Sequence, residues 1–315
     1  ILYQSIPNTA GSSIRSRDLI NAQLKLGLTP IVITSPFQPP IDFKSNKEEI
    51  NGVIYYRTYA NSKDLNISEQ QSSIIVQFKK VMCLFKFAKE VYQIAKRENV
   101  DIIHAHAMFF CAFAAKFSSI KLNIPFVYEV RSLWEERYKS STFFNKIIFS
   151  FITFVESFSM WLSDYLIVIN DNLKFNLSSR FLLKKRIISV VNNAVDLNRV
   201  EIVNIKRENI VFGYIGTLSP IEGLDLLIKA FNNLYSNNAQ NKLLIYGDGI
   251  ELDKLKSLAK NNPLVEFKGK FDQTQISEVY STIDVVINPR ISNYLTNSVT
   301  PLKPLEALAY KKLVL

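Results

Sequence analysis

The chain has 315 residues, 48% hydrophobic and 21% charged, with nine glycines, a composition that suits two ordinary globular domains and excludes a disordered or fibrous chain. Its formal net charge of +10 is uneven: residues 1–205 hold 25 lysines and arginines against 17 aspartates and glutamates, and residues 206–315 hold 13 against 11. A basic N-terminal half attracts phosphate on a membrane, a nucleic acid or a substrate, but the lysines are scattered and no aromatic-basic motif recurs, which argues against nucleic acid.

The predicted elements alternate between strand and helix. ILYQSI opens as a strand, followed by a helix near residues 15–26, the strand PIVITS, a helix over about 76–97, and the strand VDIIHAH. A helix near 112–119 and the strand PFVYEV follow, then an aromatic helix, YLIVIN and IISVV. A second set begins with IVFGYIG, a helix near 224–234, LLIYGDG, a helix near 252–260, VEFKG, a helix near 276–281, DVVINPR and a helix from Pro304. Such β-α alternation predicts an α/β fold of parallel sheets covered on both faces. The polar stretch RVEIVNIKRE (199–208) reads as the linker, giving two doubly wound Rossmann-like domains, 1–205 and 206–315. The closing KKLVL starts a strand without a successor, so the second domain is expected to be truncated.

Cys83 and Cys111 lie in apolar helical stretches without metal-ligand spacing, which predicts reduced thiols and a cytoplasmic setting. No signal peptide is visible ahead of the first strand. The most apolar run, residues 147–155, is far below the ~20 residues that span a bilayer. Its neighbourhood nevertheless carries Phe143, Phe144, Phe151, Phe154, Phe158 and Trp161 beside Lys139 and Lys146. An aromatic face with flanking lysines suits the surface of an anionic membrane or a protein core.

Candidate site residues cluster at strand ends, where open α/β sheets bind ligands. Residues 8–13, NTAGSS, join the first strand to a helix, so the amides around Gly11 suit an anion or simply make a turn. His104 and His106 share one strand face, with the later one better placed to reach a ligand; a metal would need a third ligand, which the sequence does not show. YEVRSLWEE (128–136) puts Glu129, Arg131, Trp134, Glu135 and Glu136 in one turn, fit to hold a polyol or to pair among themselves. Gly247-Asp248-Gly249, beside Gly216 and Pro289-Arg290, suits close approach of a phosphate or ribose. Glu306, read as close to a helix start, suits capping.

Taken together, NTAGSSIRSRDL, HAHA, IPFVYEVRSLWEE, DYLIVIN, VVNNAVD, GYIGTLSPIEGLDLLIKAF, IYGDGIELDKL, VEFKGK, STIDVVINPR and TPLKPLEALAYKKLV resemble a family 4 type glycosyltransferase with the GT-B fold. YEVRSLWEE and TPLKPLEALA resemble bacterial surface-polysaccharide members. The resemblance implies transfer of a sugar from a nucleotide diphosphate sugar to a saccharide or lipid-linked acceptor. It also implies retention of configuration and neither metal nor other cofactor. It further implies a donor-binding C-terminal domain and an acceptor-binding N-terminal one; separately, the basic N-terminal half and the aromatic helix predict peripheral contact with the inner face of the plasma membrane.

By position, His106 matches the histidine at the reacting sugar, Gly11 the loop near the diphosphate, Gly247 and Asp248 the nucleotide pocket, residues 265–268 the run past the base, and Glu306 the ribose ligand. Three departures stand out. Ser298 replaces a common glutamate, and Thr217 and Glu222 replace an arginine and a lysine that bind the diphosphate. Arg290 and Lys303 flank the same turn and are expected to substitute for them. A nucleotide-sugar epimerase and a catalytically silent scaffold subunit are the alternatives, the latter suggested by those three departures.

Overall fold

The computed structural model describes residues 1–8, 11–38, 45–58, 74–135, 143–203, 205, 207–234, 240–260 and 262–315. Thr9, Ala10, Glu136, Lys139 and the Phe143 side chain, all raised by the sequence, lie outside them. The chain forms two compact units, Ile1–Asn193 and Ala194–Leu315.

In the first unit, α1 (Gly11–Lys25), β1 (Ile31–Thr34), β2 (Lys47–Ile50), β3 (Val53–Arg57), α2 (Ile74–Arg97) and β4 (Ile103–His106) are followed by α3 (Phe109–Leu122), β5 (Phe126–Val130), α4 (Phe143–Trp161), β6 (Tyr165–Val168), α5 (Asp171–Ser178) and β7 (Ile188–Val190). Strands pair in the orders β1-β3-β2 and β4-β5-β6-β7. Residues 1 and 2 join the two groups. Leu2 exchanges backbone bonds with Ile33 and Ser35, while Ile1 bonds His104 and His106. Every pairing is parallel except β2 with β3.

That antiparallel hairpin escaped the sequence reading. Its turn, Asn51-Gly52, has φ of 52° and 76°, the two-residue geometry that Asn-Gly favours because both positions need positive φ. Asn170, at the end of YLIVIN, caps α5 by accepting from the Leu173 amide at 2.7 Å, satisfying a donor that the first helical turn leaves open.

The second unit contains β8 (Val211–Ile215), α6 (Leu224–Leu234), β9 (Lys242–Tyr246), α7 (Leu252–Ala259), β10 (Val265–Gly269), α8 (Ile276–Ser281), β11 (Val285–Val286), α9 (Tyr294–Ser298), α10 (Leu302–Ala309) and β12 (Leu313–Val314). Its parallel sheet runs β10-β9-β8-β11-β12. Alternation splits each central strand between two cores. Val211, Ile215, Leu244 and Tyr246 pack with α8 and α10, whereas Tyr214, Leu243 and Ile245 pack with α6 and α7. Both faces of the sheet are therefore covered, as the near-continuous apolar strands require.

The unit boundary falls earlier than the 205/206 division expected from the sequence. Residues after 193 are drawn to the second unit by specific pairs: Arg199 bonds Glu306 at 2.8 Å, and Arg207 bonds the Ser281 carbonyl at 2.7 Å. Arg199 and Arg207 thus belong to the second unit, where their ion pairs are with Glu306 and Asp284.

Candidate active site

In the first unit the β4–β5 register sets His106 opposite Glu129. Adjacent parallel strands thereby bring together residues 23 positions apart, and alternation keeps His104 on the same face, the two imidazole centroids 3.9 Å apart. Glu129, Arg131 and His106 are all buried. Arg131 donates from Nε to Glu129 Oε1 at 3.0 Å, from Nη1 to Ser16 Oγ at 2.8 Å and the Ser12 carbonyl at 3.1 Å, and from Nη2 to His106 Nδ1 at 2.6 Å. Arg15, buried on α1, makes a second, short ion pair with Glu129.

A guanidinium only donates, so His106 Nδ1 must accept. Glu129 Oε2 lies 3.3 Å from the same nitrogen, but two donors cannot meet at the 2.6 Å of the Arg131 contact, so the shorter contact decides the tautomer. The ring carries its proton on Nε2. Burial, with the neighbouring His104 and Arg131 charges, pushes its pKa well below the ordinary histidine value, so the neutral form holds at neutral pH. Burial alone would raise the Glu129 pKa, but the His104 contact and the Arg131 charge hold it well below the carboxylate range.

The same register corrects the expectation that no third metal ligand exists. Ligand atoms of His104, His106 and Glu129 all lie within 4.8 Å of one another. Glu129 is nevertheless already paired with two guanidiniums, and a cation there would face both. The cluster reads as an ion-paired support for His106.

The acceptor-binding expectation for YEVRSLWEE also changes. Glu129 and Arg131 turn inward as just described. Glu135 is 1% exposed and pairs with Arg180. Beside it Glu156 of α4 accepts from the Trp134 amide at 3.1 Å, and burial, then the hydrogen bond with Glu135, pushes its carboxyl up to about 10. Trp134 packs on Phe109 with centroids 5.4 Å apart. A dense charged turn in the sequence is thus mostly an internal network, because its carboxylates meet arginines from distant elements. Gly11, by contrast, begins α1 and is exposed.

In the second unit the predicted donor residues converge at the carboxyl ends of β8, β9 and β11. Gly247 has φ 127°, and a Cβ there would collide with the Gly216 carbonyl oxygen. Gly216, with φ 150°, lies directly under the Lys303 ammonium. The two loops meet backbone to backbone, which only glycine permits. Asp248 accepts from the Gly249 amide at 2.7 Å and pairs with Lys270 at 3.2 Å, facing solvent.

Lys303 donates to Glu222 Oε2 at 2.8 Å and to the Tyr214 hydroxyl at 2.7 Å, while that hydroxyl donates to the Thr217 carbonyl at 2.9 Å. Arg290 Nε lies 4.0 Å from Glu222 Oε1 and has no hydrogen-bond partner among the described residues. Burial lowers the Lys303 pKa and the Glu222 charge opposes that shift. Glu222, noticed in the sequence only as a departure, is the shared counter-ion of both cations.

Glu306 lies beyond the first turn of α10, which holds no acidic residue, and so does not cap it. Its two oxygens accept from Arg199 Nη2 at 2.8 Å and the Tyr280 hydroxyl at 3.3 Å. Tyr280 in turn stacks on Tyr310 at 4.3 Å. Arg15, Arg199, Tyr214 and Tyr280 were not singled out beforehand, since nothing local marks a residue whose partner lies far along the chain.

Comparisons with known proteins bear on the family and the fold. Residues 9–199 match the model for Glycosyltransferase Family 4, and residues 197–315 match glycosyl transferases group 1. No curated protein sequence matches the chain. Among solved structures, sucrose-phosphate synthase from Thermosynechococcus elongatus superposes with a TM-score of 0.74 at 17% identity, covering 97% of this chain and 75% of that one. The catalytic domain of starch synthase IV from Arabidopsis thaliana, bound to ADP and acarbose, gives 0.68 at 11% identity over 99% and 81%. Anabaena HepE in complex with UDP and glucose gives 0.61 at 16% identity over 99% and 78%. With the family matched over most of its length, the chain belongs to Glycosyltransferase Family 4 and is a glycosyltransferase with the GT-B fold.

Proposed function

We propose that the chain is a retaining glycosyltransferase, moving a sugar from a nucleotide diphosphate sugar to a saccharide or lipid-linked acceptor in cell-surface polysaccharide synthesis. The observation that carries this reading is the pair of cations gathered at Glu222: Lys303, which lies over Gly216 where the Gly247 loop meets it, and Arg290 at the strand end beside it. Cations set over a glycine turn suit a diphosphate leaving group, whose developing charge is what such a reaction must stabilise. The UDP and ADP bound by similar structures support a nucleotide donor.

In this reading Gly216, Gly247, Arg290 and Lys303 hold the diphosphate, Asp248 borders the nucleotide, and Glu306 binds the ribose while Arg199 orients its carboxylate. Gly11, at the start of α1, is read by position as a further donor-binding residue. His106, fixed as an Nε2–H donor, bonds a sugar oxygen and is not a base. The positive charge is the protein's own, and the reaction needs no metal.

The acceptor side is expected to meet a lipid surface. Phe144, Ile147, Phe151, Phe154 and Trp161 are exposed along α4 at the 3-4 spacing of a single helix face. Lys146, Lys184 and Lys185 are exposed nearby, and Phe181, in a short helix packed against α4, is 86% exposed. No helix among the described residues is long and apolar enough to cross a membrane, so contact would be peripheral. An apolar stripe beside lysines suits an anionic interface.

A donor panel tests the function. Acceptor-dependent release of a nucleoside diphosphate from one nucleotide sugar is expected. Conversion of the donor without acceptor would favour the epimerase, and binding of no donor would favour the silent scaffold.

A further inference from the structure

We infer that Glu222 is a built-in counter-ion that competes with an anionic ligand for Lys303 and Arg290 and thereby sets the affinity for the donor's diphosphate. This rests on the donor site proposed above. Glu222 closes the short helix Pro220–Glu222, and its carboxylate spans both cations, at 2.8 Å from Lys303 Nζ and 4.0 Å from Arg290 Nε. The three side chains together carry one net positive charge where the two cations alone would carry two.

The turn cannot easily withdraw that carboxylate. Gly223, immediately after it, has φ 67°, and a Cβ there would collide with the Pro289 carbonyl, so the Glu222 turn is locked against the strand end that bears Arg290. Lys303 is equally constrained, lying over Gly216 with its ammonium on the Tyr214 hydroxyl. Arg290 Nε, buried without a hydrogen bond, is a donor that Glu222 reaches only electrostatically. A phosphate oxygen would satisfy it, and a buried polar group gains most from such a partner.

A ligand phosphate at this position meets two cations and one carboxylate. It must push the Glu222 side chain aside or accept its repulsion, and that repulsion grows with the ligand's charge. An uncharged nucleoside feels neither effect, which separates this role from a general structural one.

The test titrates UDP, GDP and ADP, with uridine, guanosine and adenosine as neutral controls, into the full chain and its Glu222→Gln variant by calorimetry. For whichever base binds, Glu222→Gln is expected to tighten the nucleoside diphosphate ~10-fold or more and to leave the nucleoside unchanged. Glu222→Asp, which retracts the carboxylate by one methylene, should fall between the two and guards against a poorly folded glutamine variant. Adding Lys303→Gln should remove most of the gain, because the two residues share one contact.

Unchanged or weakened diphosphate binding in both Glu222 variants, or an equal gain for the nucleoside, overturns the inference alone. Absence of nucleotide binding from the wild type and from both variants overturns the proposed donor site as well.

Discussion

Replacing Arg131 tests whether the buried cluster exists to position His106. Arg131→Met removes one of the two guanidiniums on Glu129 and the contacts to Ser16, the Ser12 carbonyl and His106. Breaking a buried ion pair costs ~3 to 5 kcal/mol, and the lower figure applies because Arg15 remains on Glu129. For a unit of this size ~3 kcal/mol corresponds to a fall in melting temperature of roughly 6–12 °C. Arg131→Lys keeps the charge but lacks the planar fork that reaches Glu129, Ser16 and His106 at once. It should fold, with a smaller loss of stability, yet release Nδ1. Nitrogen NMR of the His106 ring then reads the consequence directly: protonation on Nε2 alone in the wild type, and a mixture of tautomers in Arg131→Lys. Turnover should fall ~10- to 100-fold in that variant, because one oriented hydrogen bond to a sugar oxygen is lost. A wild-type ring protonated on Nδ1, or a lysine variant with the wild-type ring pattern and full turnover, would refute the reasoning.

Lys303→Met should weaken nucleoside diphosphate binding by at least tenfold, since a charge-assisted contact contributes ~1.5 to 3 kcal/mol, and calorimetry measures it. Gly247→Ala forces a Cβ into the Gly216 carbonyl; a loss of ~2 kcal/mol or more is expected in denaturant unfolding, and wild-type stability would show the loops to be looser than described. His106 is held below its ordinary pKa, so the unfolded chain binds the proton first. Its contribution is present above about pH 6.5 and is lost as pH falls below that value, which a pH series of melts should show and His106→Gln should flatten. Glu156 behaves oppositely: its folded pKa is raised to about 10, so it costs stability increasingly from about pH 4.5 up to 10. Glu156→Gln should therefore raise the melting temperature at pH 8 and change little at pH 4. Flotation with anionic vesicles should carry the chain upward, and Phe151→Ser with Phe154→Ser should abolish that; equal flotation of the double variant would remove α4 from the interface.

The strands and helices were legible wherever burial imposed a period: α6, predicted near 224–234, is observed over Leu224–Leu234, and HAHA does end a strand with both rings on one face. What stayed hidden depends on pairing across the fold. Glu129 comes beside His106 only through the β4–β5 register, and nothing in YEVRSLWEE states that Arg15 and Arg180 wait for its carboxylates. Glu222 looked like a lost cation, yet the structure makes it the ion that Lys303 and Arg290 share. Capping, the alternative to ribose binding for Glu306, rests on a helix that starts at Pro304, whereas α10 begins at Leu302 and leaves Glu306 beyond its first turn. The hairpin at Asn51-Gly52 has a clear local signal, a dipeptide that favours positive φ at both positions, and it interrupts the β-α alternation.

The central claim is sugar transfer with retained configuration from a nucleotide diphosphate sugar, and proton NMR of the product formed from a single α-linked donor tests it most directly. The account predicts an α-linked product whose formation requires acceptor and is lost in Lys303→Met. A β-linked product, or a donor converted to another sugar nucleotide with no acceptor present, would contradict it.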